Sequence, residues 1–309
     1  MVPQSAEAVA HHKDPRVKTK NKSRISNAAK STIVNEVAKA ASLTSQRSVA
    51  IKAMVSTATI SQMIAGNWGL ISDDMFRKVQ GNLSIELDWK IAMTANLNEA
   101  YKYCHAARMQ GLALLISDNA GKGKSNGYKF YARRNENVMH VECKASWTKK
   151  TFVRHLLLAM GVQPIGTTEQ MLEKWNDQII RWAKPLLILD QADKLKDPQL
   201  DMFMEFYNDH EGHLGIILSG VQALRKRIER GIQHSKTGYD ELYSRVGRRH
   251  IELDPINRDD VAAVCRANGV DDEEDITFIY DTFGGDFRRV RREIKRIHLA
   301  RQEQPELSE

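Results

Sequence analysis

The chain has 309 residues, 28% charged and 42% hydrophobic, with a formal net charge of +7. That length allows two or three globular domains, and the positive excess favours a polyanionic partner. No apolar run approaches the ~20 residues of a spanning helix, and the first residues lack the apolar core of a secretory leader, so neither a membrane nor an exported protein is expected.

The positive charge is concentrated near the start. Residues 13–30 carry Lys13, Arg16, Lys18, Lys20, Lys22, Arg24 and Lys30 against one acid, Asp14. With few large apolar residues between them, residues 1–31 read as a disordered basic arm, and Lys18, Lys20 and Lys22 as candidate nucleic-acid contacts. Residues 32–93 read as a small helical unit. Ser45 leads into one helix, and Ser56 has the position of an N-cap before a second, with a turn between them. Val49, Val55, Ile60 and Ile64 have the spacing of a helix-turn-helix core, which turns Thr57, Thr59, Ser61 and Gln62 toward a groove. Gln62 suits adenine, while the hydroxyls suit phosphate. A plain three-helix bundle used for protein contact is the alternative.

From residue 94 the pattern changes. A helix over 97–109 precedes the apolar run 112–116, and directly after it stands Asp118-Asn119-Ala120-Gly121-Lys122-Gly123-Lys124-Ser125. A strand, a glycine-bearing loop ending Gly-Lys-Ser and a following helix make a phosphate-binding P-loop. Gly121 and Gly123 let successive backbone N–H groups point at phosphate oxygens. Lys124 supplies charge to the outer phosphates, and the Ser125 hydroxyl suits Mg²⁺. Asp118 stands where the motif has its first glycine, placing a carboxylate near the phosphate path and lowering the expected nucleotide affinity.

Strand-like runs at 138–143, 186–190, 214–219 and 251–253 alternate with helical segments at 149–160, 169–183, 198–210 and 221–233. Alternation of this kind predicts a parallel sheet with helices on both faces. The run ending at Asp190 places that acid at the carboxyl edge of the sheet beside the P-loop, where it can support Mg²⁺. The strand ending at Ser219 offers a polar group for the γ-phosphate. Tyr243-Ser244-Arg245 lies at a helix end, and Gly284-Gly285-Asp286-Phe287-Arg288 opens the last helix. Cys104, Cys143 and Cys265 are too widely spaced for a metal set and fit buried thiols in a reducing cytoplasm.

Taken in order, these motifs resemble the AAA+ ATPase module, and the layout with a helix-turn-helix unit in front resembles the MuB/TnsC-type ATPases of DNA transposition. The resemblance implies an α/β, three-layer P-loop core over 94–255. A helix-turn-helix domain over 32–93 precedes it, and a small helical lid over 256–309 follows. It implies ATP and Mg²⁺ as cofactors, with Asn119, Ala120, Gly121, Lys122, Gly123, Lys124 and Ser125 around the phosphates and Ser125 and Asp190 at the metal. Arg288 becomes the lid residue that closes over the phosphates, and Arg245 the residue that reaches a neighbouring subunit's nucleotide. The implied partners are duplex DNA, a transposase, and further copies of the chain in an ATP-dependent filament or ring.

Gln191 departs from the family, which places a catalytic glutamate there. A glutamine orients water but cannot take its proton, so slow or absent hydrolysis is expected unless Asp193 or Glu205 substitutes. Two other functions fit the same motifs. One is a helicase-loader-like adaptor of the DnaC/IstB group, and the other an ATP-responsive helix-turn-helix transcriptional regulator.

Overall fold

The computed structural model describes residues 24–303. Four helices open it: α1 (Asn27–Leu43), α2 (Gln46–Ala53), α3 (Thr57–Ile64) and α4 (Asp73–Asn82). Each starts on a serine. Ser26, Ser45, Ser56 and Ser72 accept the backbone N–H of Ala29, Ser48, Thr59 and Met75, satisfying donors that the first helical turn leaves free. The helices close on Ile33, Val37, Val49, Ile60, Met63, Phe76 and Val79. Residues 27–31, expected in the basic arm, belong to this unit instead. Lys30 is buried, pairs with Asp73 at 2.7 Å and lies over the Phe76 ring. Lys18, Lys20 and Lys22 lie outside the described residues.

After α5 (Ala95–Gln110), strands and helices alternate. They run β1 (Ala113–Ser117), α6 (Lys124–Ala132), β2 (Val138–Glu142), α7 (Lys149–Met160), α8 (Thr168–Arg181) and β3 (Leu186–Asp190). Then come α9 (Asp197–Asp209), β4 (Gly215–Gly220), α10 (Gln222–Gln233) and α11 (Tyr239–Arg245). The four strands are parallel in the order β1-β4-β3-β2. Successive strand residues point to opposite faces. Leu187, Leu189, Ile216 and Leu218 meet Trp175, Phe203 and Leu156 on one side, while Ile116, Ile188 and Ile217 meet Tyr128 and Tyr131 on the other. Burial on both faces explains why the strands read as continuous apolar runs rather than alternating ones.

The run at 251–253 does not form the fifth strand expected from its sequence. Ile251 makes a single parallel bridge to Ile116. Two residues later the Leu253 N–H goes to the Asp118 carboxylate at 2.9 Å, which takes the chain out of the ladder.

The last helices, α12 (Arg258–Ala267), α13 (Glu273–Phe283) and α14 (Phe287–Glu303), pack around Val261, Cys265, Ile276, Ile279, Val290 and Ile294, with Trp89 and Ala92 of the α4–α5 connection against them. This unit touches the P-loop directly: the Phe287 N–H donates to the Gly121 carbonyl at 3.0 Å. Cys104, Cys143 and Cys265 are buried and free. Among the described residues no helix is long and apolar enough to cross a membrane.

Candidate nucleotide site

The P-loop leaves β1 at the buried Ser117 and enters α6 at Lys124. Gly121 and Gly123 have φ of 86° and 92°, a left-handed backbone that a side chain strains. A Cβ at Gly121 would also lie 2.0 Å from Asp286 Oδ1, so that carboxylate would have to move. Lys124 is buried, and its ammonium donates to the carbonyls of Asp118 at 2.9 Å and Asn119 at 2.8 Å. An ammonium has three donors, so one proton remains for a phosphate oxygen. Burial lowers the Lys124 pKa, and the nearby Asp118 and Asp190 work against that shift.

Asp118 is not in the phosphate path. It is 1% exposed. Its Oδ1 accepts the Asn119 N–H at 2.6 Å, and its Oδ2 accepts the Leu253 N–H at 2.9 Å and pairs with the Lys122 ammonium at 2.9 Å. Lys122 also donates to the Leu253 carbonyl at 2.6 Å. The carboxylate therefore braces the loop from behind, and the expectation of electrostatic conflict with phosphate is corrected. The Lys122 side chain is spent on the same brace, leaving that residue its backbone N–H for a ligand. Asn96, which sequence reasoning missed, adds a second tie by donating to the carbonyls of Lys122 and Asp254.

Asp190 ends β3, 2% exposed. Burial opposes its charge, but hydrogen bonds from His140, Ser125 and the Gln191 N–H outweigh burial and hold its carboxyl below the usual range. An ionised carboxylate already bonded to the P-loop hydroxyl is a donor set that fits Mg²⁺, with Ser125 and Asp190 as its holders. His140 was not foreseen; β2 lies beside β3 and carries it there, with Nε2 3.4 Å from Asp190 Oδ2.

Gln191 takes a left-handed conformation at φ 57°, and its side-chain carbonyl is taken by the Lys194 ammonium. Asp193 accepts the Val221 N–H at 3.3 Å and lines the cavity beside the P-loop. Glu205 is exposed on α9 and does not line it. Ser219 also departs from expectation. It is fully buried and bonds the Tyr128 hydroxyl at 2.9 Å, so it faces α6 rather than a γ-phosphate.

A cavity of about 300 Å³ lies here, whose lining runs from Ala120 to Ser125 and includes Asp190, Gln191, Asp193 and Arg288. The apolar part of the lining comes from Trp89, Ile91, Val264 and Phe287, a surface suited to the flat face of a base. Arg291 stacks over Trp89 at 4.7 Å and pairs with Glu86 at 2.8 Å. The signal for this wall was the apolar spacing of Leu87, Trp89 and Ile91 ahead of α5, in a stretch with no regular secondary structure.

Residues 107–228 match the family model described as an AAA domain. With the parallel sheet and its P-loop, that match decides the architecture. The core has the AAA+ fold. A Staphylococcus aureus protein named "Potential ATP-binding protein" is 29% identical over 118 residues, which span 35% of this chain and 40% of that protein. The chain thus spans less than half the length of this curated relative. Among solved structures, the Aeropyrum pernix ORC1 protein in complex with DNA gives a TM-score of 0.46 at 14% identity, covering 63% of this chain and 56% of that one. NtrX from Brucella abortus gives 0.45 at 14% identity, covering 76% and 58%.

Outside the AAA+ cavity lie two other sets of expected residues. Arg245 does not line it. Its guanidinium lies 5.3 Å from the Tyr207 ring centroid and 3.4 Å from Glu241, and its buried Nε has no partner among the described residues. On α3, Thr57 and Ser61 are exposed, whereas Gln62 is half-buried. Thr59 is half-buried, and its hydroxyl bonds the Ser56 hydroxyl at 2.9 Å inside the helix cap.

Proposed function

We propose that the protein is an ATP-binding switch that acts on duplex DNA. The observation that carries this reading is the convergence of Lys124, Ser125, Asp190 and Arg288 on one cavity that is also lined by apolar side chains. The AAA domain match and the relative named as a potential ATP-binding protein favour ATP as the ligand. Bound Mg²⁺ supplies charge neutralisation between the phosphates. The chain's own contribution is positioning. The positive-φ glycines turn backbone N–H groups inward, the spare Lys124 proton meets an outer phosphate, and α14 carries Arg288 to the cavity mouth. With Gln191 engaged by Lys194, no carboxylate stands at that position to take a proton from water, so hydrolysis is slow and ATP holds the switch on.

The DNA side of the proposal rests on the net charge of +7, on the capped α2–α3 pair that exposes Thr57 and Ser61, and on Lys18, Lys20 and Lys22. The finer reading, from the resemblance of the motifs, is ATP-dependent self-association on DNA with recruitment of a transposase, Arg245 reaching a neighbouring copy's nucleotide. Negative-stain microscopy with non-specific duplex DNA tests it: filaments or rings are expected with ATP and not without. Monomers alone at saturating ATP and DNA rule it out. Lys124→Ala is expected to abolish the ATP response while leaving the fold intact.

A further inference from the structure

Three side chains of the kinds that ligate metals gather where β2 and β3 end. The strands run parallel with Glu142 in register with Asp190, so both side chains leave one face of the sheet, and His140, two residues before Glu142, joins them there. Helix α6 covers that face, its Tyr128 ring 6.2 Å from the His140 ring. The ligand atoms of His140, Glu142 and Asp190 all lie within 4.8 Å of one another. His140 Nε2 and Asp190 Oδ2 are 3.4 Å apart. Two ligands on one tetrahedral ion, with bonds of about 2.0 Å, have nearly that separation, about 3.3 Å. Asp190 Oδ1 accepts the Gln191 N–H at 2.9 Å, which fixes the carboxylate with Oδ2 toward the imidazole. Glu142 Oε1 pairs with the Lys129 ammonium at 2.5 Å, and the second oxygen of that carboxylate keeps lone pairs for another partner. The Glu142 side chain is 40% exposed. It opens, with His140, on a cavity of about 790 Å³ between the N-terminal helices and the AAA+ core, so an ion reaches the cluster without crossing the nucleotide cavity.

An imidazole beside two carboxylates suits a transition-metal dication, whereas Mg²⁺ keeps to oxygen ligands. We propose that His140, Glu142 and Asp190 bind a transition-metal dication of the zinc class, through His140 Nε2 and one oxygen of each carboxylate, with water completing the shell. The bound ion takes over the long His140–Asp190 contact and neutralises two neighbouring acids. The site is distinct from the Ser125–Asp190 pair that fits Mg²⁺ and shares Asp190 alone with it. It does not rest on the ATP reading, since two of its ligands line the larger cavity and none of the three needs a nucleotide in place. Occupation puts a second ion one carboxylate away from the P-loop, at the boundary between the nucleotide cavity and the N-terminal helices.

The test uses the full chain without nucleotide, with excess Mg²⁺ to fill oxygen-only sites and Co²⁺ as a spectroscopic substitute for Zn²⁺. Visible d–d bands are expected on adding Co²⁺, without the charge-transfer band that a thiolate ligand gives, and Zn²⁺ should bleach them. His140→Gln should weaken Co²⁺ binding by about 100-fold, because losing a ligand costs at least as much as losing the group that supports one. Glu142→Gln, at the more exposed ligand, should weaken it by about tenfold and serves where the strand variant fails to fold, which circular dichroism reports. His11 and His12 are adjacent in the sequence, and His11→Gln/His12→Gln should bind Co²⁺ as the wild type does. Absence of the bands in the wild type, a thiolate band, unchanged affinity in a folded His140→Gln or Glu142→Gln, or loss of the bands with His11 and His12 overturns the proposal. ATP binding, measured separately without Co²⁺, reports on the nucleotide cavity alone.

Discussion

Asp118 and Lys122 face each other at 2.9 Å behind the P-loop, and both close onto the backbone of Leu253, one on its N–H and the other on its carbonyl. The position that departs from the motif's first glycine is thus the keystone joining the loop to the 251–254 segment. Asp118→Ala leaves the Leu253 N–H without its acceptor and the Lys122 ammonium with only a carbonyl. A loss of roughly 2–4 kcal/mol in urea unfolding is expected, since removing one partner of a buried pair strands the other. Lys122→Met should cost less because no buried charge is left unbonded: the Asp118 carboxylate keeps two backbone donors. Equal losses for the two variants would contradict this account.

The Gln191 side chain is held by Lys194, and this shapes the second expectation. Gln191→Glu alone restores a carboxylate but places it against the same ammonium, an ion pair that lowers its basicity. Steady-state ATP turnover should therefore rise modestly in Gln191→Glu and further in the double variant Gln191→Glu/Lys194→Ala, by about 10²-fold or more for a working general base. Of the two acids expected to substitute, Asp193 lines the cavity and Glu205 does not, and Asp193→Asn should abolish whatever turnover the wild type retains. If nucleotide still binds and neither glutamate variant hydrolyses faster, the explanation of the slow site fails.

How far the sequence reached follows from what each signal measured. Burial on both faces wrote β1, β2, β3 and β4 as apolar runs, and their alternation with helices was visible without coordinates. The P-loop and Asp190 were equally visible, because their chemistry is local to a short stretch. Side-chain direction was not. Asp118, Ser219 and Thr59 were read as facing ligand because of where they stand in the chain, but each is turned to a partner distant in sequence or inside a cap. The wall of Trp89, Ile91 and Val264 was missed for a related reason: it is assembled from a connection and a C-terminal helix that meet only in the fold. His140 is the same case across neighbouring strands.

Acid stability offers a further check. Asp197, at the start of α9, is bonded by Lys236, Arg227 and Tyr239, and these bonds, Lys236 first, hold its carboxyl far below the usual range. Its folded pKa lies under the unfolded value, so the stabilisation is complete above about pH 4 and is lost as pH falls through and below that value. The side chain is 39% exposed, so screening limits its contribution to about 1 kcal/mol or less. Asp197→Asn should lower Tm slightly at pH 7 and draw progressively closer to the wild type as the pH falls from about 4 toward 2, and parallel curves across that range would exclude the role.

The helical unit at the N-terminus supplies the last expectation. Thr57 and Ser61 are exposed on α3 and Gln62 is partly so, whereas Thr59 is bound in the cap. If α3 meets DNA, Thr57→Ala/Ser61→Ala should weaken duplex binding several-fold without altering Tm, because exposed hydroxyls contribute little to the fold. Thr59→Ala should do the reverse, costing about 0.5–1 kcal/mol of stability through the lost bond to Ser56, and so lowering Tm, while leaving DNA affinity near wild type. Both are read by fluorescence anisotropy of a labelled duplex at several salt concentrations. The hydroxyl variants carry no charge, so the slope of log K against log salt should stay fixed while the intercept moves, whereas Lys18, Lys20 and Lys22 changed to alanine should flatten that slope. A steep salt slope that survives removal of all three lysines would place the phosphate contacts elsewhere on the chain.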